Sequence, residues 1–444
     1  MRIQLSDHFT YNKLLRFVFP SIIMMVFTSI YSVVDGLFVS NFAGKTAFAA
    51  VNLIMPVLMG MGTVGFLIGT GGSAVVAKTL GEGKREKANA YFSMLIYVTI
   101  AIGALLTVIS FIFIRPISEL LGASGQMLDY CVLYGRILIA FQTAFMLQCA
   151  FQNFMVVAEK PKFGLLITVG SGLTNIVLDA LFVAVFKWGI AGAAAATVIS
   201  QVVGAVVPII YFSRKNNSLL RITKPIFDFK IFLKVCTNGS SELMTNLSAS
   251  LVNILYNFQL MKIAGENGVA AYGVIMYVNF IFSAVYFGYA IGSAPVVSFN
   301  YGAANTDELK NLFRKSLIIT GLFGFLMVTF SQLSASPLAK WFVGYDAELF
   351  ELTVHGFRVY AISFLISGFN VFSSAFFTAL NNGAVSAAIA FMRTLVFQLI
   401  AILVLPELLG IDGVWFAIVA AEVLALIVSL SLIHISEPTR HLRI

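Results

Sequence analysis

The sequence contains two copies of one unit. Residues 43–92, moved forward by 221 positions (264 − 43), align without a gap on residues 264–313, and 14 of the 50 aligned residues are identical. The same shift pairs later residues, including Pro116 with Pro337, Gly135 with Gly356 and Gly192 with Gly413. Long duplications in apolar chains are typical of membrane transporters, in which a site between two similar lobes opens alternately to either side.

The chain is too apolar for an ordinary soluble protein. Its residues are 59% hydrophobic and 11% charged, whereas about a quarter of the residues in a soluble domain are charged. Stretches of about 20 apolar residues, enough to cross a bilayer, recur between short polar breaks. A backbone in lipid must satisfy its own hydrogen bonds, so these stretches should be helices. We predict twelve spans, at residues 14–40, 46–77, 90–114, 127–157, 163–186, 190–212, 235–262, 268–299, 313–335, 349–379, 384–406 and 411–433.

The predicted fold is an all-α integral membrane protein with two lobes of six helices each. Because each copy has an even number of spans, the copies have parallel topology and should be related by a pseudo-two-fold axis along the membrane normal. We divide the chain into an N-lobe at 1–212, a cytoplasmic linker at 213–234 and a C-lobe at 235–433. The tail at 434–444 has no counterpart in the first half, and is either a short native terminus or a foreign segment.

The net charge of +8 is explained by topology, and we expect no nucleic-acid partner. With both termini in the cytoplasm, eighteen Lys and Arg residues fall in inner segments and five in outer loops. This positive-inside bias predicts a multi-pass protein of a bacterial-type cell (inner) membrane, with cytoplasmic termini. The first span is too long for a cleavable signal peptide.

Enzymatic and cofactor chemistry find no support in the sequence. Cys131, Cys149 and Cys236 are widely spaced in or beside predicted helices, which indicates neither a disulfide framework nor a zinc site. The loop at 81–87 contains a Gly-Glu-Gly-Lys run but lacks the glycine spacing and the Lys-Ser/Thr ending of a phosphate-binding loop. We therefore expect a protein that is not an enzyme and needs no cofactor.

Two acidic residues lie within predicted helices of the first half. Asp35 and Asp179 lie about ten and eight residues before the outer Lys45 and Lys187, and Thr197 lies eight residues after the turn at Gly189. At about 1.5 Å per residue, all three have a similar depth. One helical turn before the acids come two further polar side chains, those of Tyr31 and Asn175. The spacing predicts one buried polar cluster.

The duplication provides an internal control for this cluster. The five matching positions of the second half are Val252, Tyr256, Val396, Ile400 and Ile418. Since four of these are aliphatic, helix packing does not require polar residues there, and we favour a functional cluster over one that only orders the helices. Two neighbouring carboxylates in a low dielectric do not both stay ionised without a cation. The cluster should therefore bind a proton, or Na⁺ at Asp35, Asn175 and Asp179.

Other charged residues inside the spans have different explanations. Arg393 and Glu422 have equal depth on neighbouring helices, so we predict a structural ion pair rather than a second coupling site. Glu242, near the inner end of the seventh helix, is either solvated or an acid that faces a substrate cavity. Pro20 should bend the first helix, as a static kink or as a moving hinge.

Methionine and aromatic side chains are candidates for a substrate cavity between the lobes. Such side chains adapt to varied apolar and cationic ligands, although most of them contact lipid or the protein core. With Glu242, the predicted cavity residues are Met24, Phe27, Met55, Met59, Met276, Asn279 and Phe280.

Over nearly its whole length the chain resembles the multidrug and toxic compound extrusion (MATE) family. The resemblance rests on the two six-helix lobes, on the Asp35-Gly-Leu-Phe-Val-Ser run with Gly44 and Ala49-Ala50-Val51 after it, on Asn175-x-x-x-Asp179, and on the Gly-Ile-Ala-Gly-Ala-Ala run at 189–194. It implies a first-lobe cation site at positions that match Tyr31, Asp35, Asn175, Asp179 and Thr197, and a bending proline at Pro20.

The resemblance also implies the activity. We expect a secondary active antiporter that exports amphipathic, often cationic, drugs or metabolites in exchange for inward H⁺ or Na⁺, and that functions as a monomer in the bilayer. The alternative is a flippase for lipid-linked sugars of a related two-lobed fold, which would need basic residues in its cavity. A channel or an intramembrane enzyme is a third class, but neither pore-lining rings nor catalytic spacings are present.

Overall fold

The computed structural model describes residues 3–436, and these contain helices but no strand. The α-helices are Tyr11–Phe38 (α1), Lys45–Gly81 (α2), Arg85–Leu120 (α3), Gly125–Ala140 (α4), Gln142–Val157 (α5), Pro161–Asp179 (α6), Gly189–Ser213 (α7), Phe229–Gly302 (α8), Thr306–Val343 (α9), Ala347–Ala361 (α10), Phe364–Ala379 (α11), Gly383–Phe391 (α12), Phe397–Leu409 (α13) and Ile411–Ser436 (α14). Three π-helical segments interrupt or extend them, at Val39–Ala43, Ala180–Val185 and Met392–Val396.

These helices account for the twelve predicted spans, but the number of helices in a span varies. One long helix contains two spans, and two other spans each consist of two helices. The 74-residue α8 would be about 110 Å long if it were straight, far more than one bilayer, and it contains two spans that meet at Gly265. That residue has a φ of 59° and a ψ of −147°, a backbone conformation that glycine adopts readily.

The spans predicted at 127–157 and 349–379 contain a bend that the sequence did not indicate. Each is a bent pair, α4 with α5 at 57° and α10 with α11 at 45°. The two bends lie 221 residues apart, since Ala140 and Ala361 end the first helix of each pair. The duplication therefore preserves the bend as well as the helices.

The boundaries of the linker and tail also need correction. Helix α8 begins at Phe229, inside the predicted linker, because the Asp228 side chain accepts hydrogen bonds from the backbone N–H groups of Lys230 and Ile231 and so caps the helix. Helix α14 continues to Ser436, so its last turn overlaps the predicted tail. Residues 437–444 of that tail lie outside the described residues.

In the part of the chain that the structure describes, the apolar clusters that combine both lobes lie at one end of the molecule. We call this the linker end, because it carries residues 3–10 and the connection at 214–228. The two apolar clusters at this end combine both lobes: one packs Val235 with Val75 and Phe151, and the other packs Val156 with Val296. At the opposite end, called the far end, one cluster lies wholly within the N-lobe and another wholly within the C-lobe. The cleft between the lobes therefore widens towards the far end.

Candidate cation site

The two acidic residues of the N-lobe lie close together in the structure. Asp35 is 8% exposed near the end of α1, and Asp179, the last residue of α6, is fully buried. Their carboxyl groups lie close enough to interact electrostatically. As two carboxylates they would have no hydrogen to share, so a proton or another cation between them removes their mutual repulsion.

Most polar atoms of this cluster have no partner within the protein. Among the described residues, the buried atoms without a hydrogen bond include Asp35 Oδ1, both carboxyl oxygens of Asp179, both polar atoms of the Asn175 amide and Thr197 Oγ1. An unpaired buried polar group costs about 1–3 kcal/mol. A packing network would satisfy these groups internally, whereas a site that binds and releases an ion leaves its ligand atoms available.

Tyr31 borders the cluster through a contact that needs a glycine. It lies one turn before Asp35 and packs on α6, where a Cβ at Gly172 would be 2.9 Å from Tyr31 Cδ1 and 2.5 Å from Phe27 Cε1. The position that matches Gly172 in the C-lobe is Arg393. Gly172 thus leaves room for the Tyr31 ring beside the two aspartates. In the C-lobe the position of this glycine is occupied by the cationic side chain of Arg393.

The structure adds two residues that the sequence argument missed. Tyr134 on α4 is fully buried with its hydroxyl unpaired, and it lies near Asp35, Asp179 and Thr197. Gln201, one turn after Thr197 on α7, has its buried Oε1 unpaired. The four-residue spacing from Thr197 could have indicated Gln201. Nothing in the local sequence indicates Tyr134, because its helix is distant in the chain and its side chain is uncharged.

All three π-helical segments lie beside charged intramembrane residues. Ala180–Val185 follows Asp179 directly, Val39–Ala43 begins four residues after Asp35, and Met392–Val396 contains Arg393. At the start of the first of these segments, the Val39 N–H donates to the carbonyls of both Asp35 and Gly36. Single π turns inside α-helices are frequent at functional sites.

In the C-lobe, the two charged side chains satisfy each other. Arg393 donates through Nε to Glu422 Oε1 at 2.9 Å and to Oε2 at 3.1 Å. Asn370 Nδ2 donates to the same carboxylate at 2.7 Å and to the Glu422 carbonyl at 2.9 Å. A buried pair with this many hydrogen bonds is compatible with the predicted structural role.

The predicted cavity residues do not all face one space. Met59 and Phe280 occupy matching positions and are 44% and 51% exposed, whereas Met24 is only 2% exposed and does not line an open cleft. Met55 and Met276 pack against the far-end clusters of their own lobes.

The remaining predicted residues lie at separate places. Phe27 packs on α6 at Gly172, Asn279 accepts a hydrogen bond from Ser283 at 3.3 Å, and Glu242 is partly exposed within the first half of α8. Helix α1 is unbroken at Pro20, and a functional bend there stays a prediction.

The ligand atoms of the N-lobe cluster suit a proton or a hard cation. Carboxylate, amide and hydroxyl oxygens are available, and no sulfur or imidazole is among them. Within residues 3–436 there is no group of three or more His, Cys, Asp or Glu residues that could hold a metal ion. Oxygen ligands are those that hard cations prefer, in contrast to the soft ligands of transition metals.

Two similar lobes that meet at one end, with a buried polar cluster in one of them, are the architecture of a membrane transporter. The sequence profile of the MatE family matches residues 20–181 and 243–403, one match in each lobe and together more than half of the chain. The chain therefore belongs to the MATE family of membrane transporters. Members of this family are not enzymes and need no cofactor.

Several relatives and solved structures are similar over almost the full length. Multidrug export protein MepA of Staphylococcus haemolyticus (strain JCSC1435) is 23% identical over 436 residues, covering 96% of this chain and 93% of the relative. The protein of that name from Staphylococcus saprophyticus subsp. saprophyticus is 22% identical over 434 residues, covering 96% and 94%. The outward-facing structure of a multidrug resistance MATE family transporter of the MOP superfamily has a TM-score of 0.90, 25% identity and 95% coverage of both chains. The twelve-helix, two-lobed fold is thereby confirmed.

Proposed function

We propose that the protein is a secondary active antiporter that exports amphipathic, often cationic, small molecules in exchange for inward H⁺ or Na⁺. The observation that carries this proposal is the buried pair of Asp35 and Asp179, whose oxygens lack donors within the protein. The C-lobe positions that match the pair hold Tyr256 and Ile400. A feature present in one lobe only serves the coupling reaction rather than the shared fold.

The cation would act by joining two helices. Asp35 belongs to α1, and Asp179 and Asn175 belong to α6, so an ion held between them favours one arrangement of α1 against the rest of the N-lobe. If substrate binding favours a different arrangement of α1, each ligand lowers the affinity for the other by the same factor. Such reciprocal weakening is the thermodynamic requirement for exchange.

The orientation follows from the charges at the linker end. This end carries the basic connection at 214–228 and the loop at 82–84, and loops rich in Lys and Arg remain in the cytoplasm. We assign the linker end to the cytoplasm and the open far end to the outside of the cell membrane. The structure then corresponds to an outward-facing state of a monomer.

Apolar and aromatic side chains at the mouth of the cleft suit varied substrates. Gly81 and Gly302 lie at the closed linker end, and Met59 and Phe280 each lie 22 residues before them on α2 and α8. On a helix of 3.6 residues per turn, 22 residues return to within about 40° of the same face. Met59 and Phe280 therefore face the cleft, where thioether and aromatic groups can contact a cation. The two MepA relatives, named as multidrug export proteins, support this substrate class.

The flippase alternative receives no support from the basic residues. A lipid diphosphate would need cations that face the cleft and are free to pair with it. Arg393 is already paired with Glu422 at 2.9 Å. Arg136 stacks over Phe111 at 5.2 Å and is exposed on α4, as Arg358 is on α10.

Transport by the purified protein in proteoliposomes tests the proposal. A proton gradient and a Na⁺ gradient are imposed separately, with the amphipathic cation ethidium as the probe, and one of them should drive ethidium movement. Asp35→Asn should abolish this movement, whereas Asp412→Asn, at an exposed carboxylate paired with His355 at 2.6 Å, should leave it intact. Transport that needs neither gradient, or that survives Asp35→Asn, would contradict the proposal.

A further inference from the structure

Two glycines let the lobes touch through their backbones at the linker end. A Cβ at Gly81 on α2 would be 2.0 Å from the Phe299 carbonyl oxygen, and a Cβ at Gly302 on α8 would be 2.0 Å from the Lys78 carbonyl oxygen. The contact is symmetric, because the 221-residue shift moves Lys78 onto Phe299 and Gly81 onto Gly302. The two helices therefore cross on the pseudo-two-fold axis.

A second glycine pair joins α2 to the first half of α8, with Gly71 ten residues before Gly81. A Cβ at Gly71 would be 2.1 Å from the Val235 carbonyl oxygen, and a Cβ at Gly239 would be 2.1 Å from the Leu67 carbonyl oxygen. Real Cβ atoms essentially never approach other heavy atoms closer than 3.0 Å. Since the obstructing atoms belong to the backbone of the other lobe, no side-chain rotation can relieve the overlap, and an added methyl group has to move the lobes apart.

The same helices carry glycines without this restriction. At Gly60 on α2 and Gly273 on α8, no heavy atom lies within 4 Å of the position that a Cβ would occupy. Close approach to a neighbouring backbone is thus not a general property of glycine on these helices.

An independent contact fastens the lobes at the same end. The N-terminal segment 3–10 continues into α1 of the N-lobe, and Leu5 N–H donates to Glu159 of that lobe at 2.8 Å. Four residues later, Phe9 N–H donates to Glu308 of the C-lobe at 2.9 Å. Leu5 and Phe9 are fully buried. The segment therefore spans the closed junction between the lobes.

We propose that Gly71, Gly81, Gly239 and Gly302 form a glycine gate, which closes the cleft at the linker end during the export cycle proposed above. These four residues are positioning residues, because they contact neither the coupling cation nor the substrate. They allow α2 of the N-lobe to meet both halves of α8 of the C-lobe backbone to backbone. Any larger residue at these positions favours the state in which the linker end is open.

Chemical cross-linking of the intact protein measures gate closure directly. Glu82 and Ala303 are exposed, occupy matching positions and follow the gate glycines Gly81 and Gly302. Both are changed to cysteine in a chain without its three native cysteines, and the rate of linkage by a short bifunctional maleimide is measured in liposomes. Overpacking costs about 1–3 kcal/mol, so Gly81→Ala or Gly302→Ala should slow linkage roughly 5-fold to 160-fold. Gly60→Ala and Gly273→Ala should leave the rate unchanged.

A second reporter separates gate opening from unfolding. Met59→Cys, at the mouth of the cleft, is labelled with a membrane-impermeant maleimide. If Gly81→Ala moves the population to the inward-facing state, this labelling should fall while linkage at residues 82 and 303 also falls. Unfolding would instead increase labelling. Unchanged linkage in both alanine variants, or increased labelling at residue 59, would contradict the proposed glycine gate. This test does not depend on which ion or substrate the transport assay identifies.

Discussion

Arg393 neutralises Glu422 by donating through Nε to both of its carboxylate oxygens, at 2.9 and 3.1 Å. The matching positions of the N-lobe are Gly172 and Gln201, so the C-lobe holds a tethered cation where the N-lobe has none. The acids of the N-lobe remain without donors within the protein. Among the described residues, Glu422 thus has a cationic partner, whereas no cationic side chain pairs with Asp35 or Asp179.

Loss of one partner of the Arg393–Glu422 pair should destabilise the C-lobe strongly. Arg393→Met leaves a buried carboxylate without its cation, a change that costs about 3–5 kcal/mol. Replacing both residues, by Arg393→Met with Glu422→Leu, should restore most of this loss, because no unpaired charge remains. Thermal unfolding in detergent provides the measurement.

Lys262 and Glu407 provide the matched control for the ion pair. They form an exposed pair at 3.0 Å, with side chains 60% and 64% exposed, and Lys262→Met should change stability by less than about 1 kcal/mol. Equal shifts in the transition temperature for Arg393→Met and Lys262→Met would show that Glu422 does not depend on its partner.

The two aspartates should behave as one unit in transport. Asp35→Asn and Asp179→Asn should each lower ion-driven export by roughly tenfold or more, and the double variant should be little worse than either single one, because groups that act together are non-additive. Initial rates in proteoliposomes measure this. Independent, multiplicative losses would mean that the two carboxyl groups do not share one ion.

Tyr134→Phe should weaken binding of the coupling cation without unfolding the lobe. The change removes one buried hydroxyl near Asp35, Asp179 and Thr197, and one hydrogen bond is worth about 0.5–1.5 kcal/mol, or roughly 2-fold to 13-fold in affinity. The concentration of ion that gives half-maximal export should rise by this factor. Tyr277→Phe, at an exposed ring stacked on Phe342, is the control and should not change this concentration. If the two variants changed it equally, Tyr134 would not belong to the site.

The N-terminal segment should detach when Glu308 is shortened. Glu308 accepts hydrogen bonds from Phe9 N–H at 2.9 Å and Asn311 Nδ2 at 2.9 Å, and its other oxygen lies 2.6 Å from His8 Nδ1. Glu308→Ala removes all three contacts and should increase amide hydrogen exchange in residues 3–10 by at least about tenfold. Glu351→Ala, at an exposed position on α10, is the control and should leave this exchange unchanged. If Glu308→Ala also left the exchange unchanged, the segment would be held by its apolar residues alone.

Several parts of the site followed from local spacing. The four-residue intervals that join Tyr31 to Asp35 and Asn175 to Asp179 place each pair on one helix face, and the helical rise gives their depth. The duplication then showed which positions need no polar residue. Tyr134 could not be predicted in this way, because only the packing of α4 against its neighbours brings its side chain close to Asp35 and Asp179.

The sequence was enough to predict twelve spans in two lobes, because bilayer thickness, helical rise and the 221-residue repeat depend only on the order of the residues. Which end of the cleft is closed, and which methionines face it, could be seen only in the packed structure. The same holds for the contact of Gly81 with Phe299 and for the open space beside Gly60. These depend on the relative placement of two lobes that are nearly equivalent in sequence. Small differences in packing energy at the interface between the lobes determine that placement. They cannot be inferred from the residue pattern of any single helix.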